Sequence, residues 1–191
     1  MARQKKQKQQ KNIIGFSGKL ASGKSFLADY LGKKLGLPVL HLDDLFLLEA
    51  RKPIYKLYLK IKGVDFSNQN THPVNNIKNV KKLSKLERAA MLYTLNRVLK
   101  RELKKHDSCI VEFVGLNKLK IAKKLAQHYF VVPANEEQRI DKIQQRNNIS
   151  LQQALHIDNY ATNFWGLNNL DTCNNVVRVT NDYASFSIHN T

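Results

Sequence analysis

Gly18-Lys19-Leu20-Ala21-Ser22-Gly23-Lys24-Ser25 is the stretch that decides the fold. It fits G-x-x-x-x-G-K-[ST], a loop whose backbone N–H groups curl around phosphates. The glycines let the backbone approach the anion, Lys24 reaches the β- and γ-phosphates, and Ser25 can ligate Mg²⁺. At average residue frequencies, chance places this pattern in a chain this long less than about one time in a hundred. Its surroundings agree. Ile13-Ile14-Gly15-Phe16 before it is a short apolar run that suits a buried parallel strand. After it, Phe26, Leu27, Tyr30, Leu31 and Leu35 recur at helical spacing, and Gly36 stops the helix. Pro38-Val39-Leu40 then starts a second strand, completing a βαβ unit. The pattern predicts a site for a nucleoside triphosphate with Mg²⁺ along Gly18, Lys19, Leu20, Ala21, Ser22, Gly23, Lys24, Ser25 and Phe26.

Further along, Val80–Lys105 reads as a long basic amphipathic helix using Leu83, Leu86, Ala90, Leu95, Val98 and Leu99. Cys109–Val114 is a third strand, residues 118–126 a helix, Tyr129–Val132 a fourth strand and Val176–Val179 a fifth. Asn135 is the expected N-cap of a helix over Glu136–Arg146, and Ser150 with Gln153 a capping box opening the next. About five parallel strands interleaved with helices give a doubly wound α/β domain of the P-loop NTPase type. Residues 1–11 read as a disordered basic arm, and 12–191 as one domain. Within it, 45–107 is a helical insertion that would hold the acceptor, and 135–165 carries lid helices.

Outside the loop, His41-Leu42-Asp43-Asp44 stands at the end of the second strand, where open α/β sheets bind ligands. A carboxylate there can take the proton of a hydroxyl attacking the γ-phosphate. The competing reading makes Asp43 or Asp44 a helix cap. His41 reads as a polar residue at the strand end. Arg139, Lys142 and Arg146 follow the fourth strand at steps of three and four, suited to a lid over a phosphoryl group or to a solvated face. Glu112, in the third strand, either holds hydrated Mg²⁺ or points away. Trp165 and Phe164 read as core rather than as rings that stack on a base, and Cys109 reads as core too.

With these residues in view, the chain resembles the dephospho-coenzyme A kinase family over about residues 12–42 and 108–182. That family has a T-G-G-I-x-S-G-K-S-like loop, matched by FSGKLASGKS, and an Asp-x-Asp segment, matched by His41-Leu42-Asp43. YFVVPANEEQRIDKIQQRNNISLQQAL is similar to its strand, its helix ending R-x-x-x-R and the helix after it. The resemblance implies ATP-dependent phosphorylation of the 3′-hydroxyl of dephospho-coenzyme A. It makes Asp43 the base, places Lys142 and Arg146 at the basic pair with Arg146 as the lid arginine, and sets Asn181 near the adenine. The chain departs from the family at three places. Leu86-Glu87 is followed by Met91-Leu92 rather than His-Pro, Gly115-Leu116-Asn117 replaces Pro-Leu-Leu, and Cys173-Asn174 replaces Ala-Asp. LGLPVLHLDDL also resembles small nucleoside- and nucleotide-kinase-like proteins, so another small acceptor is the alternative.

Composition bounds the partners. The 191 residues hold 32 Lys+Arg against 15 Asp+Glu, a net charge of +17, which suits polyanions. Arg3, Lys5, Lys6, Lys8 and Lys11 lie in the arm without an acid. A third reading is therefore a nucleic-acid-associated NTP-binding protein that uses the arm and Lys78–Lys105. A lysine-rich composition without function is the plain alternative. The 42% hydrophobic content rules out wholesale disorder. No run of about 18 apolar residues suits a membrane span. Two cysteines and an N-terminus without an apolar stretch read as a reduced, cytoplasmic chain.

Overall fold

The structure, a computed structural model, describes residues 11–50, 52, 85–168, 176–182 and 186–189. In chain order these form β1 (Asn12–Gly18), α1 (Lys24–Leu35), β2 (Val39–His41), α2 (Leu42–Ala50), α3 (Lys85–Glu102) and β3 (Ser108–Glu112). Two 3-10 segments (Leu116–Lys118 and Lys120–Lys124) lead to β4 (Gln127–Pro133), α4 (Glu136–Asn147), α5 (Leu151–Trp165), β5 (Val176–Asn181) and β6 (Phe186–His189). Residues 1–10 of the expected arm at 1–11, and most of the expected insertion, 51 and 53–84, lie outside the described residues.

The strands form one sheet in the order β2-β3-β1-β4-β5-β6. The first five run parallel and β6 pairs antiparallel with β5. Side chains alternate between two apolar layers, as the period of two requires. Phe16, Ile110, Val131 and Val179 pack under Leu27 and Ala28 of α1. Ile13, Cys109, Val111, Phe130 and Val132 pack on the other face with Leu95 and Leu99 of α3, Ile140 and Ile143 of α4, and Ala154 and Ile157 of α5. Trp165 belongs to this second layer, edge-on to Phe113 and Phe164 at centroid distances of 4.9 and 4.6 Å. Cys109 is buried there, and burial pushes its thiol up to about 11.

The N-caps form as expected. Asn135 Oδ1 accepts from the Gln138 N–H, and Ser150 and Gln153 close a full capping box. Two expectations need correction. Residues 118–126 are not an α-helix, because Leu119 turns extended between the two 3-10 segments while Leu116, Leu119 and Ile121 enter the core. Only part of the α1 stripe is core: Leu27 is buried, whereas Phe26, Tyr30 and Leu35 are exposed. The sheet also gains β6, a four-residue edge strand beside the five parallel ones. Among the described residues no helix is long and apolar enough to cross a membrane.

A buried glutamate joins α2 to α3. Glu49, 3% exposed, accepts from Lys52 Nζ at 2.7 Å, Arg97 Nη2 at 2.6 Å and Arg101 Nη1 at 3.0 Å. The Lys52 hydrogen bond, helped by the two arginines, holds its carboxyl down at about 2. With three cationic partners this carboxylate avoids the large penalty of a lone buried charge.

Candidate functional site

Because β1 is central and the chain crosses to opposite sides of it, its carboxyl end is the switch point of the sheet, where α/β folds take ligands. The Gly18–Ser25 loop leaves β1 at that point. Ser22 N–H donates to Lys19 O at 3.3 Å to close a turn, and Leu27 N–H donates to Gly23 O at 3.0 Å to open α1. Gly23 sits at φ 87, and a Cβ there would run into the Asn181 side chain. Gly18 has no room for a Cβ beside the Val131 carbonyl and the Ser22 hydroxyl. Asn181, 2% exposed at the end of β5, donates from Nδ2 to Ser22 O at 2.8 Å. The loop is thus pinned from β4 and β5. α1 has no side-chain cap and no acid in its first turn, which leaves its N-terminal amides to an anion.

Lys24 is buried at 8% exposure, with Nζ 3.7 Å from Glu112 Oε1. Glu112 ends β3, in register with Phe16 on one side and His41 on the other. Its Oε2 meets His41 Nδ1 at 3.0 Å, and His41 Nε2 meets Asp29 Oδ1 at 2.9 Å. Between two carboxylates the imidazole is raised to about 9, chiefly by the Glu112 hydrogen bond, so it is charged at neutral pH. Burial would raise the Glu112 pKa. The His41 hydrogen bond and the charges of Lys24 and His41 outweigh it and hold the carboxyl below its usual range. His41, read from the sequence as a strand-end residue, is thus the clamp that keeps Glu112 ionised beside Lys24.

Two buried polar atoms at the loop have no hydrogen-bond partner, Ser22 Oγ and Glu112 Oε1. Orphans of this kind mark places where a ligand or its water completes the network. Ser25 is exposed at the loop end, and with Glu112 it supplies the hard oxygens that Mg²⁺ takes alongside substrate phosphates. These residues fit a magnesium nucleotide.

The helices α4 and α5 are joined to the loop. Lys19 Nζ lies 3.0 Å from Glu136 Oε1. Arg139, 1% exposed, makes two bonds of 2.6 Å to Asp158 of α5, a third to Glu136, and donates to Leu20 O at 3.1 Å. Of the three basic residues on α4, Arg139 turns inward while Lys142 and Arg146 are exposed. Asp43, partly buried, and Asp44, exposed, occupy the first turn of α2 directly after β2. The structure therefore gathers the loop, Glu112, His41 and Asn181 at the strand ends, with Asp43 two residues past His41. Lys142, Arg146 and Phe26 lie on exposed surface.

Sequence reasoning missed Asp158, whose signal was its place among Ala154, Ile157, Thr162 and Trp165 on the buried face of α5. An acid there requires a cation. It also missed Ser17 and His128, paired at 2.7 Å beneath the loop. Burial pushes His128 down to about 4, so it is neutral in the folded chain and protonates first when unfolded. Stability is full above the unfolded pKa near 6.5 and is expected to fall as pH drops from there towards 4, by up to about 3 kcal/mol. Melting followed against pH should show this acid slope in the wild type and a shallower one in His128→Gln.

No protein-family model matches the chain, and no curated protein matches its sequence. Among solved structures, TT1252 from Thermus thermophilus superposes with a TM-score of 0.64 at 19% identity, over 90% of this chain and 88% of that one. The dephospho-CoA kinase from Campylobacter jejuni superposes with a TM-score of 0.51 at 15% identity, over 91% of this chain and 90% of that one. At such identities the likeness is one of fold.

Proposed function

We propose that the chain is an ATP-dependent kinase that phosphorylates a hydroxyl of a small acceptor, with the 3′-hydroxyl of dephospho-coenzyme A as that hydroxyl. The observation that carries the kinase reading is the buried ion pair of Lys24 and Glu112 at the phosphate loop, with Glu112 Oε1 within 3.7 Å of Lys24 Nζ but accepting no hydrogen bond. The acceptor rests on the sequence resemblance around Asp43 and residues 129–155, and on the fold shared with the Campylobacter jejuni dephospho-CoA kinase.

In this reading the loop amides and Lys24 hold the β- and γ-phosphates and balance the charge that builds on the transferred group. Ser25 and Glu112 would hold Mg²⁺, which supplies further neutralisation there. Asp43 takes the hydroxyl proton as that oxygen bonds to the γ-phosphorus. The bond from the γ-phosphorus to the β,γ-bridging oxygen breaks, and ADP leaves. Arg146 closes from the lid and Asn181 lies towards the adenine. The 3-10 segment at Leu116–Lys118 and the residues around Met91 stand where the family carries its acceptor elements, so acceptor choice is the part most open to change.

Asp43→Asn tests the base. It is expected to bind ATP as the wild type does while turnover falls by about 100-fold or more, in the range of general-base loss. A near-normal rate would remove Asp43 from that role. An acceptor panel of dephospho-coenzyme A, nucleosides and nucleotides tests the substrate. Preferred phosphorylation of dephospho-coenzyme A supports the assignment, and preference for a nucleoside overturns it without touching the kinase reading.

A further inference from the structure

We propose that the surface formed by the outer stripe of α3 and the neighbouring 3-10 segment binds single-stranded nucleic acid, a function that rests on none of the kinase reading. Tyr93, Arg97, Lys100 and Lys104 follow steps of four, three and four, which align them along the outside of α3 and the turn after it. Tyr93 is 69% exposed. Lys120–Lys124 lies alongside, since Leu119 and Ile121 share a core with Leu95 and Leu99, and Lys120 N–H donates to Asn96 Oδ1 at 2.9 Å. Lys11 reaches the same end of α3, where its Nζ donates to Leu103 O and, at 2.6 Å, to His106 O. In sequence, Lys11 follows Arg3, Lys5, Lys6 and Lys8 with no acid among them.

The charge here is unbalanced. Lys100, Lys104, Lys120, Lys123 and Lys124 are exposed and enter no ion pair among the described residues. Glu102, two residues from Lys100 and so on the opposite side of α3 from the stripe, is engaged by Arg101 at 3.1 Å and Lys105 at 2.6 Å. Gathered cations repel one another in the folded chain and draw a polyanion. The excess lies away from the phosphate loop. Lys11 precedes β1 and Lys124 precedes β4, whereas the loop leaves the far end of β1, whose seven residues span about 20 Å. It is therefore not an extension of the nucleotide site.

The aromatic decides between polyanions. A helix that lies on a membrane needs a broad apolar face, and among the side chains described from Tyr93 to Lys104 the exposed apolar one on this stripe is Tyr93. An exposed ring among cations instead matches the stacking platform and charged track that hold unpaired bases and their phosphates.

The test uses the full chain and a fluorescein-labelled 20-nucleotide single-stranded RNA, with anisotropy read across 50–300 mM KCl. Single-stranded DNA and duplex DNA of equal length, and vesicles containing anionic lipid, run in parallel. Six phosphate contacts predict a log–log salt slope of about −4. The variant Lys100→Glu/Lys104→Glu/Lys123→Glu/Lys124→Glu should bind about 100-fold more weakly with a flatter slope, at unchanged melting temperature. Tyr93→Ala should weaken single-strand binding about tenfold at the same slope. Tighter binding of single-stranded RNA or DNA than of duplex supports the proposal and tells the two sources apart. A flat salt response, wild-type affinity in the four-site variant, no effect of Tyr93→Ala, or tighter binding to duplex or vesicles would overturn it.

Discussion

Lys24→Ala is expected to fold as the wild type does and to lose turnover by about 1,000-fold. Its ammonium is buried at the end of the loop, at 8% exposure and 3.7 Å from Glu112 Oε1. Phosphoryl transfer has little covalent chemistry for a protein to assist, so catalysis depends on positioning and on charge stabilisation in a site that excludes water. Removing one such donor typically costs a factor of about 100 to 1,000 in rate. The fold should survive because Glu112 keeps its hydrogen bond to the charged His41 at 3.0 Å when Lys24 is gone. Lys24→Arg should not rescue the rate, since a planar guanidinium does not fill the place of a compact ammonium. ADP release at saturating ATP, with melting temperature as the control for folding, checks both variants.

Asp158→Ala is expected to be the most damaging change away from the loop. It removes the two 2.6 Å bonds that Arg139, 1% exposed, makes to Asp158, and leaves the half-exposed Glu136 as the carboxylate facing that buried guanidinium. Breaking a buried pair from one side typically costs about 3–5 kcal/mol. For a domain of this size that corresponds to a fall of roughly 10 °C in melting temperature. Replacing both partners, Arg139→Met with Asp158→Leu, should recover most of the loss, because neither charge is then left buried. The double variant still lacks the donor to Leu20 O at 3.1 Å, so its KM for ATP should stay raised after its melting temperature returns. If the double variant melts as low as Asp158→Ala, the loss does not come from an unpaired charge. If its KM for ATP is normal, Arg139 does not shape the loop.

The parts of the molecule legible in its sequence are those governed by short-range rules. The phosphate loop, the strand before it, the helix after it and the caps at Asn135 and Ser150 each depend on a few neighbouring residues. Glu112 was ambiguous because its neighbours Val111 and Phe113 are both buried apolar residues, so alternation could not say where it points. Only the pairing of β3 with β1 and β2, which sets Glu112 beside Phe16 and His41, turns it towards Lys24. His41 gained its role the same way, since Asp29 and Glu112 reach it from two other elements. Residues 118–126 carry lysines at helix-compatible spacing, yet the core draws in Leu116, Leu119 and Ile121, which no single α-helical face presents together. β6 is four residues long and pairs on one side, too short for alternation to register. Long-range partners, such as Arg139 with Asp158 or Ser17 with His128 across 111 residues, leave only the hint of a polar group on a buried face.

The most direct measurement is ADP release by the purified chain with ATP and Mg²⁺, with and without dephospho-coenzyme A. The predicted result is slow release alone and strong stimulation by the acceptor, both abolished in Lys24→Ala. ATP binding without acceptor-stimulated release, from dephospho-coenzyme A or from any hydroxyl compound in the panel, would contradict the kinase reading.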